Sequence, residues 1–133
     1  MARKQVTIQS DLDSARKVEE DLLQAVSEEG YSEASTFAIK LAVEEGLCNA
    51  IKHGNAYDPR KKVNVTYDVK PDCVRIVIVD EGKGFTPEAV PDPTADENLE
   101  RPCGRGIMLM KAFMDEVEYN ELGNEVVMVK RRT

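Results

Sequence analysis

With 133 residues, 41% of them hydrophobic and 32% charged, the chain has a globular composition and enough length to bury one ordinary core without disulfide or metal staples. A formal net charge of −7 and a pI near 4.8 exclude a general affinity for nucleic-acid backbones or anionic membranes, so an anionic ligand must be captured by local groups. No apolar run approaches a membrane span, and the N-terminus MARKQVTIQSDLDSARK lacks the continuous apolar stretch of a secretory signal; one cytoplasmic domain over residues 1–133 is expected. Cys48, Cys73 and Cys103 are odd in number and lack CxxC spacing. They argue against a disulfide framework or a zinc site and predict reduced, structural thiols.

Residues 3–9 alternate Val6 and Ile8 with polar neighbours, a strand pattern, and Ser10 or Asp11 follows as a helix cap. Over residues 11–29, Leu12, Ala15, Val18, Leu22, Leu23 and Val26 recur every three or four positions and predict an amphipathic helix stopped by Gly30. Ser32 then caps a longer helix, with Phe37, Ala38, Leu41 and Ala42 as its apolar stripe and Gly54, Asn55 and Asp58-Pro59 as its stop. Residues 62–69 alternate Val63, Val65, Tyr67 and Val69 with polar residues. After a turn at Pro71-Asp72, residues 73–80 read as a more deeply buried strand that completes a hairpin. Residues 86–102 carry four prolines and no clear period, which predicts a mobile loop, either a binding loop or a plain insertion. Gly104 and Gly106 then open a helix through Met114, and residues 116–120 and 125–130 pair around Leu122-Gly123-Asn124. The expected fold is α+β: a two-layer α/β sandwich with a mixed, mostly antiparallel sheet and helices on one face.

The stretch LAVEEGLCNAIKHGN, residues 41–55, places Glu45, Asn49 and His53 at successive spacings of four, on one slowly drifting helix face that also carries Leu41. Polar groups on a packing face need partners, which a ligand could supply; the alternative is a capped, solvated helix end. Asparagine is a poor zinc ligand, so the three are not a zinc triad, and His53 reads as structural, closing the helix end. Met108, Met110 and Met114 read as core packing. Asp80 at a strand end, and the glycine pairs after it, are each common turn formers when taken singly.

Together and in order, EEGLCNAIKHGN, VDEGKGF and CGRGIMLM resemble the three nucleotide-binding boxes of the GHKL ATPase superfamily, which includes gyrase, MutL and the sensor histidine kinases. The chain length, the HG after the first box and MDEVEYN after the last look like the anti-sigma-factor serine kinases. The resemblance implies ATP and Mg2+ as cofactors, with Asn49 as the metal ligand and Glu45 as the general base. Glu44, about a quarter turn away, reads as a surface group. Asp80 takes the exocyclic amino group of adenine by the same resemblance, a task suited to an acceptor-only carboxylate. Gly82 and Gly84 admit the backbone beside the base. The amides of the second box, from Gly104 through Arg105 and Gly106 to Ile107, cradle the phosphates beneath an ATP lid. Arg105 is the nearer candidate to neutralise charge at the transferring group; Arg101 is a lid candidate, and Lys83 meets phosphate or solvent. Family members often carry a threonine after the glycine of the last hairpin, where this chain has Gly123-Asn124-Glu125, so Asn124 stands as the substitute polar contact.

The function so implied is an ATP-dependent protein serine/threonine kinase. It phosphorylates an anti-sigma-factor antagonist of the STAS type, binds a sigma factor and regulates transcription by partner switching, with no direct nucleic-acid or membrane contact and a possible homodimer. The alternative is a non-catalytic ATP-binding interaction module that sequesters a partner. The presence of Glu45 favours the enzyme, because binding alone requires no base.

Overall fold

Two helices cover one face of a five-stranded sheet in the computed structural model, which describes residues 2–55, 58, 60–82, 111–121 and 124–132. The elements are β1 (Ala2–Gln9), α1 (Leu12–Glu28), α2 (Glu33–Asn49), a π-helical turn (Ala50–Gly54), β2 (Lys62–Val69), β3 (Cys73–Asp80), β4 (Glu116–Tyr119) and β5 (Glu125–Arg131); residues 111–113 are also helical. The strand order is β1-β2-β3-β5-β4. Every described pairing is antiparallel, where a mixed sheet was expected. The reason is topological: β4 takes the sheet edge and turns back, so that β5 returns antiparallel to β3. Among the described residues no helix is long and apolar enough to cross a membrane.

Period-two alternation decides which side chains meet the helices. In β2, Val63, Val65, Tyr67 and Val69 turn inward, and in β3 the inward row is Val74, Ile76, Ile78 and Asp80. Asp80 therefore ends an otherwise apolar row, held in register opposite Val63. In α1, Ala15, Val18, Leu22 and Val26 are buried, whereas Leu12 is 43% exposed. The cap is Asp11, whose carboxylate accepts the Ser14 N–H at 2.7 Å. Ser32 caps α2 as predicted, accepting the Ser35 N–H at 3.1 Å.

The stripe of α2 lies partly where expected, with Ala38 and Ala42 buried and Leu41 half-buried. Phe37 is 55% exposed, and the buried face runs through Ser35, Ala38, Ile39, Ala42, Val43, Gly46 and Leu47. Ala38, Ala42, Gly46 and Ala50 form a ridge of small residues at spacings of four, which lets neighbouring elements approach this helix closely. Phe37 lies one position off that ridge and is turned to solvent. Beyond Asn49 the helix widens: the Asn55 N–H reaches the Ala50 carbonyl at 2.8 Å, a bond spanning five residues.

A clasp closes the far end of the molecule. Gly30 adopts φ +86°, the left-handed conformation that ends α1 and is strained for other residues. Tyr31 is 8% exposed, donates to the Lys70 carbonyl and stacks under the Arg132 guanidinium, 4.4 Å from its ring centre. Arg132 also donates to the carbonyls of Glu29 and Pro71, both at 2.8 Å at their closest. Tyr31→Phe leaves the Lys70 carbonyl without this donor and should lower the unfolding free energy by about 1 kcal/mol in urea titrations. An unchanged midpoint would show that the Tyr31 hydroxyl contributes nothing to stability.

Candidate functional site

The last turns of α2 carry the candidate chemistry along one face, where a groove and a cavity adjoin. Glu45 is half-buried and borders a groove of about 220 Å3 between α1 and α2, lined also by Leu12, Arg16, Glu19, Glu44 and Cys48. One turn on, Asn49 is 1% exposed and lines a small cavity with Gly46, Asp80, Tyr119 and Asn124. The accessible space of that cavity, about 10 Å3, is close to one water molecule, and Ala50, Ile78 and Val126 complete its walls with apolar surface around the few polar groups.

Neither polar atom of the Asn49 side chain makes a hydrogen bond of acceptable geometry within the described structure. The Tyr119 hydroxyl is a polar neighbour, close enough that the amide acts to lower its pKa. Burial outweighs that effect and pushes the phenol up to about 12, with the negative charges of Asp80 and Glu45 adding to the rise. Asn49, Tyr119, Asp80 and Glu45 thus converge from α2, β4 and β3.

Asp80 is 4% exposed, and burial raises its carboxyl to about 6 against a smaller opposing effect of the Gly82 N–H, which donates to Oδ1 at 2.9 Å. Its own N–H donates to the Asn124 carbonyl at 2.9 Å. Asn124 therefore stands beside Asp80 through its backbone, while its side-chain oxygen accepts from Asn120 Nδ2 at 2.6 Å. In the groove, burial and the facing Glu44 carboxylate raise Glu19 to about 8. Glu44 itself is exposed and lies 4.0 Å from Lys40, as expected of a surface group.

Residues 8–130 match the family described as Histidine kinase-like ATPase domain. The chain belongs to this family. It is 28% identical over 108 residues to the Serine-protein kinase RsbW of Oceanobacillus iheyensis, covering 77% of this chain and 68% of that protein. To the Serine-protein kinase RsbW of Staphylococcus epidermidis it is 37% identical over 101 residues, covering 68% of this chain and 62% of the relative. The chain thus spans about two thirds of the length of these relatives. A crystal structure of the RsbU and RsbW domains of a Mycobacterium tuberculosis protein superposes with a TM-score of 0.67 at 18% identity, over 99% of this chain and 32% of that one. That likeness shows a shared fold.

Within this histidine kinase-like ATPase domain, the structure brings together Glu45, Asn49, Asp80 and Gly82. Lys83, Gly84, Arg101, Gly104, Arg105, Gly106 and Ile107, with the loop at 86–102, lie outside the described residues, as does the side chain of His53. Cys73 is a free thiol, as expected, but Cys48 is disulfide-bonded, its partner lying outside the described residues. Spacing along the chain rules out local pairings and says nothing about cysteines that folding brings together.

Two residues were missed from sequence. Tyr119 carries a signal, since Val117 and Tyr119 alternate with Glu116 and Glu118, but nothing in that pattern indicates a site. Asn55 stops the helix as its pattern suggests, and it is also fully buried at a junction, which that pattern does not indicate.

The folded-state pKa of Asp80, near 6, lies above its unfolded value near 4, so its ionised form destabilises the fold above pH 6, and this cost disappears as pH falls to about 4. Asp80→Asn should therefore be more stable than the parent by about 1–3 kcal/mol at about pH 8, an advantage that fades by about pH 4. Urea titrations across that range measure the difference. A pH-independent difference would refute the buried ionised carboxylate.

Proposed function

We propose that the chain is an ATP- and magnesium-dependent protein serine/threonine kinase of the anti-sigma type. It acts in the cytoplasm on an anti-sigma-factor antagonist of the STAS type, and binding a sigma factor is its second activity. The observation that carries this reading is the division along α2: Glu45 borders a solvent-open groove, while the buried Asn49, one turn later, lines a small cavity with Asp80. A base between a protein-facing groove and a nucleotide-facing cavity suits transfer from one to the other.

The residues present fit the ligands. The buried Asn49 amide lacks well-formed hydrogen bonds, and its oxygen is a suitable Mg2+ ligand. Magnesium, when bound, supplies charge neutralisation at the phosphates. Asp80, an acceptor when ionised, takes the exocyclic amino group of adenine, and Gly82 places backbone beside it. Glu45 takes the proton of an acceptor hydroxyl as that oxygen attacks the γ-phosphorus and the bond to the β–γ bridging oxygen breaks. The α1/α2 groove gives the acceptor segment a route to Glu45, and Arg16 is a cation along that route. Arg105 and the amides at Gly104, Gly106 and Ile107 complete the phosphate contacts in this proposal, with Gly84 beside the base. The resemblance to the two RsbW serine-protein kinases supports the acceptor class.

Incubation with Mg2+, labelled ATP and a candidate antagonist domain should transfer label to a serine or threonine. Glu45→Ala should reduce that transfer by about 10²–10⁴-fold while sparing ATP binding. ATP binding without transfer by the parent chain would leave a sequestering module instead. Asp80→Asn should weaken ATP binding even though it stabilises the fold, and equal affinity in a calorimetric titration would refute the adenine contact. ATP affinity of the parent should also fall as pH drops below about 6, where Asp80 takes up its proton.

A further inference from the structure

Asn55 is fully buried, and every polar group it owns is engaged. Its side-chain nitrogen donates to Ser10 Oγ at 2.8 Å and to the Lys62 carbonyl at 2.9 Å. Its side-chain oxygen accepts the Glu81 N–H at 2.9 Å. Its backbone N–H closes the π-helical turn on Ala50, and its carbonyl accepts the Asp58 N–H at 2.9 Å. Four segments meet here: the end of α2, the entry to α1, the start of β2 and the residue after Asp80.

The site depends on the last of these contacts. Three successive amides leave β3, and each has a different acceptor: Asp80 N–H goes to the Asn124 carbonyl, Glu81 N–H to Asn55 Oδ1, and Gly82 N–H back to Asp80 Oδ1. The middle contact ties the turn to the helix layer. Holding Glu81 N–H in place lets Gly82 N–H meet Oδ1, which leaves base recognition to the other oxygen of Asp80. The widened turn at Ala50–Gly54 has a purpose in this light, because a bond spanning five residues carries Asn55 inward to reach Glu81. Aspartate lacks the two donors that Asn55 uses, glutamine is a carbon longer, and neither reproduces the set.

We infer that Asn55 is a positioning residue for nucleobase recognition: by holding the backbone at Glu81 it sets the orientation in which the Asp80 carboxylate meets adenine. This rests on the ATP reading above. Asn55 touches no substrate atom in this role; it acts through the turn that carries Asp80.

The parent chain and its variants are titrated with Mg-ATP and with Mg-ITP, in which an oxygen replaces the exocyclic amino group. The parent should prefer ATP, and Asp80→Asn should lose that preference. Asn55→Ala should lower the ATP-to-ITP ratio by about tenfold, with ITP affinity little changed. Ser10→Ala, which removes one partner of the amide nitrogen and leaves Glu81 N–H held, should lower stability and keep the ratio. Equal weakening of both nucleotides in Asn55→Ala, with the ratio intact, would overturn the inference and leave Asn55 a packing residue. A parent without preference, or an unchanged ratio in Asp80→Asn, would instead overturn the adenine reading on which the inference stands. Should Asn55→Ala not fold, Glu81→Pro makes the test from the other end by removing the N–H and leaving Asn55 whole. A retained ratio in that variant overturns the inference equally.

Discussion

The burial of α2 is the constraint on which the rest of this structure depends. A helix whose small residues Ala38, Ala42, Gly46 and Ala50 form a continuous ridge can sit deep in the fold, and it carries Asn49 down with it. An amide placed there without well-formed hydrogen bonds costs stability, because the water it gave up has not been replaced in kind. The same packing that secures the fold therefore prepares a polar position for a ligand. Asp80 reaches its position by a parallel route, since strand alternation turns it inward at the end of an apolar row. Helix and sheet each contribute one buried polar group, and the two line one cavity.

Electrostatics distinguishes the cavity from the groove along α2. On the cavity side, desolvation makes the charge of Asp80 costly while leaving it mostly ionised at neutral pH, as an acceptor requires. On the groove side, Glu19 and Glu44 crowd one another, with Lys40 and Arg16 as the cations nearby. A chain of net charge −7 that binds polyphosphate has to do so through locally oriented amides and a bound cation. The desolvated Asp80 and the crowded Glu19–Glu44 pair both lie next to the helix proposed to bear the chemistry. The stability lost at such positions is the usual accompaniment of a preorganised site.

Much of this was legible in the residues themselves. The strand at 73–80, the caps at Asp11 and Ser32, the stop at Gly30 and the last hairpin all rest on local rules of alternation, capping and left-handed glycine, and each appears where those rules put it. The ordered triplet of boxes was enough to assign the family, because residue types and their order carry that information without coordinates. Phe37 was misplaced because a helical period identifies a stripe without saying which of two adjacent ridges faces the sheet. Cys48 was misread because pairing between distant cysteines depends on where folding puts them.

By itself, then, the sequence determined the elements, the family and the residue types at Glu45, Asn49 and Asp80. Tertiary structure alone decided that Asn49 and Asp80 share a cavity while Glu45 faces a groove, because that division follows from which elements pack beside successive turns of α2. It also decided the role of Asn55. A single asparagine after a helix looks like a stop signal, and its partners at Ser10, Lys62 and Glu81 are 45, 7 and 26 residues away along the chain. Contacts over such separations are set by how the layers dock, which no local pattern encodes.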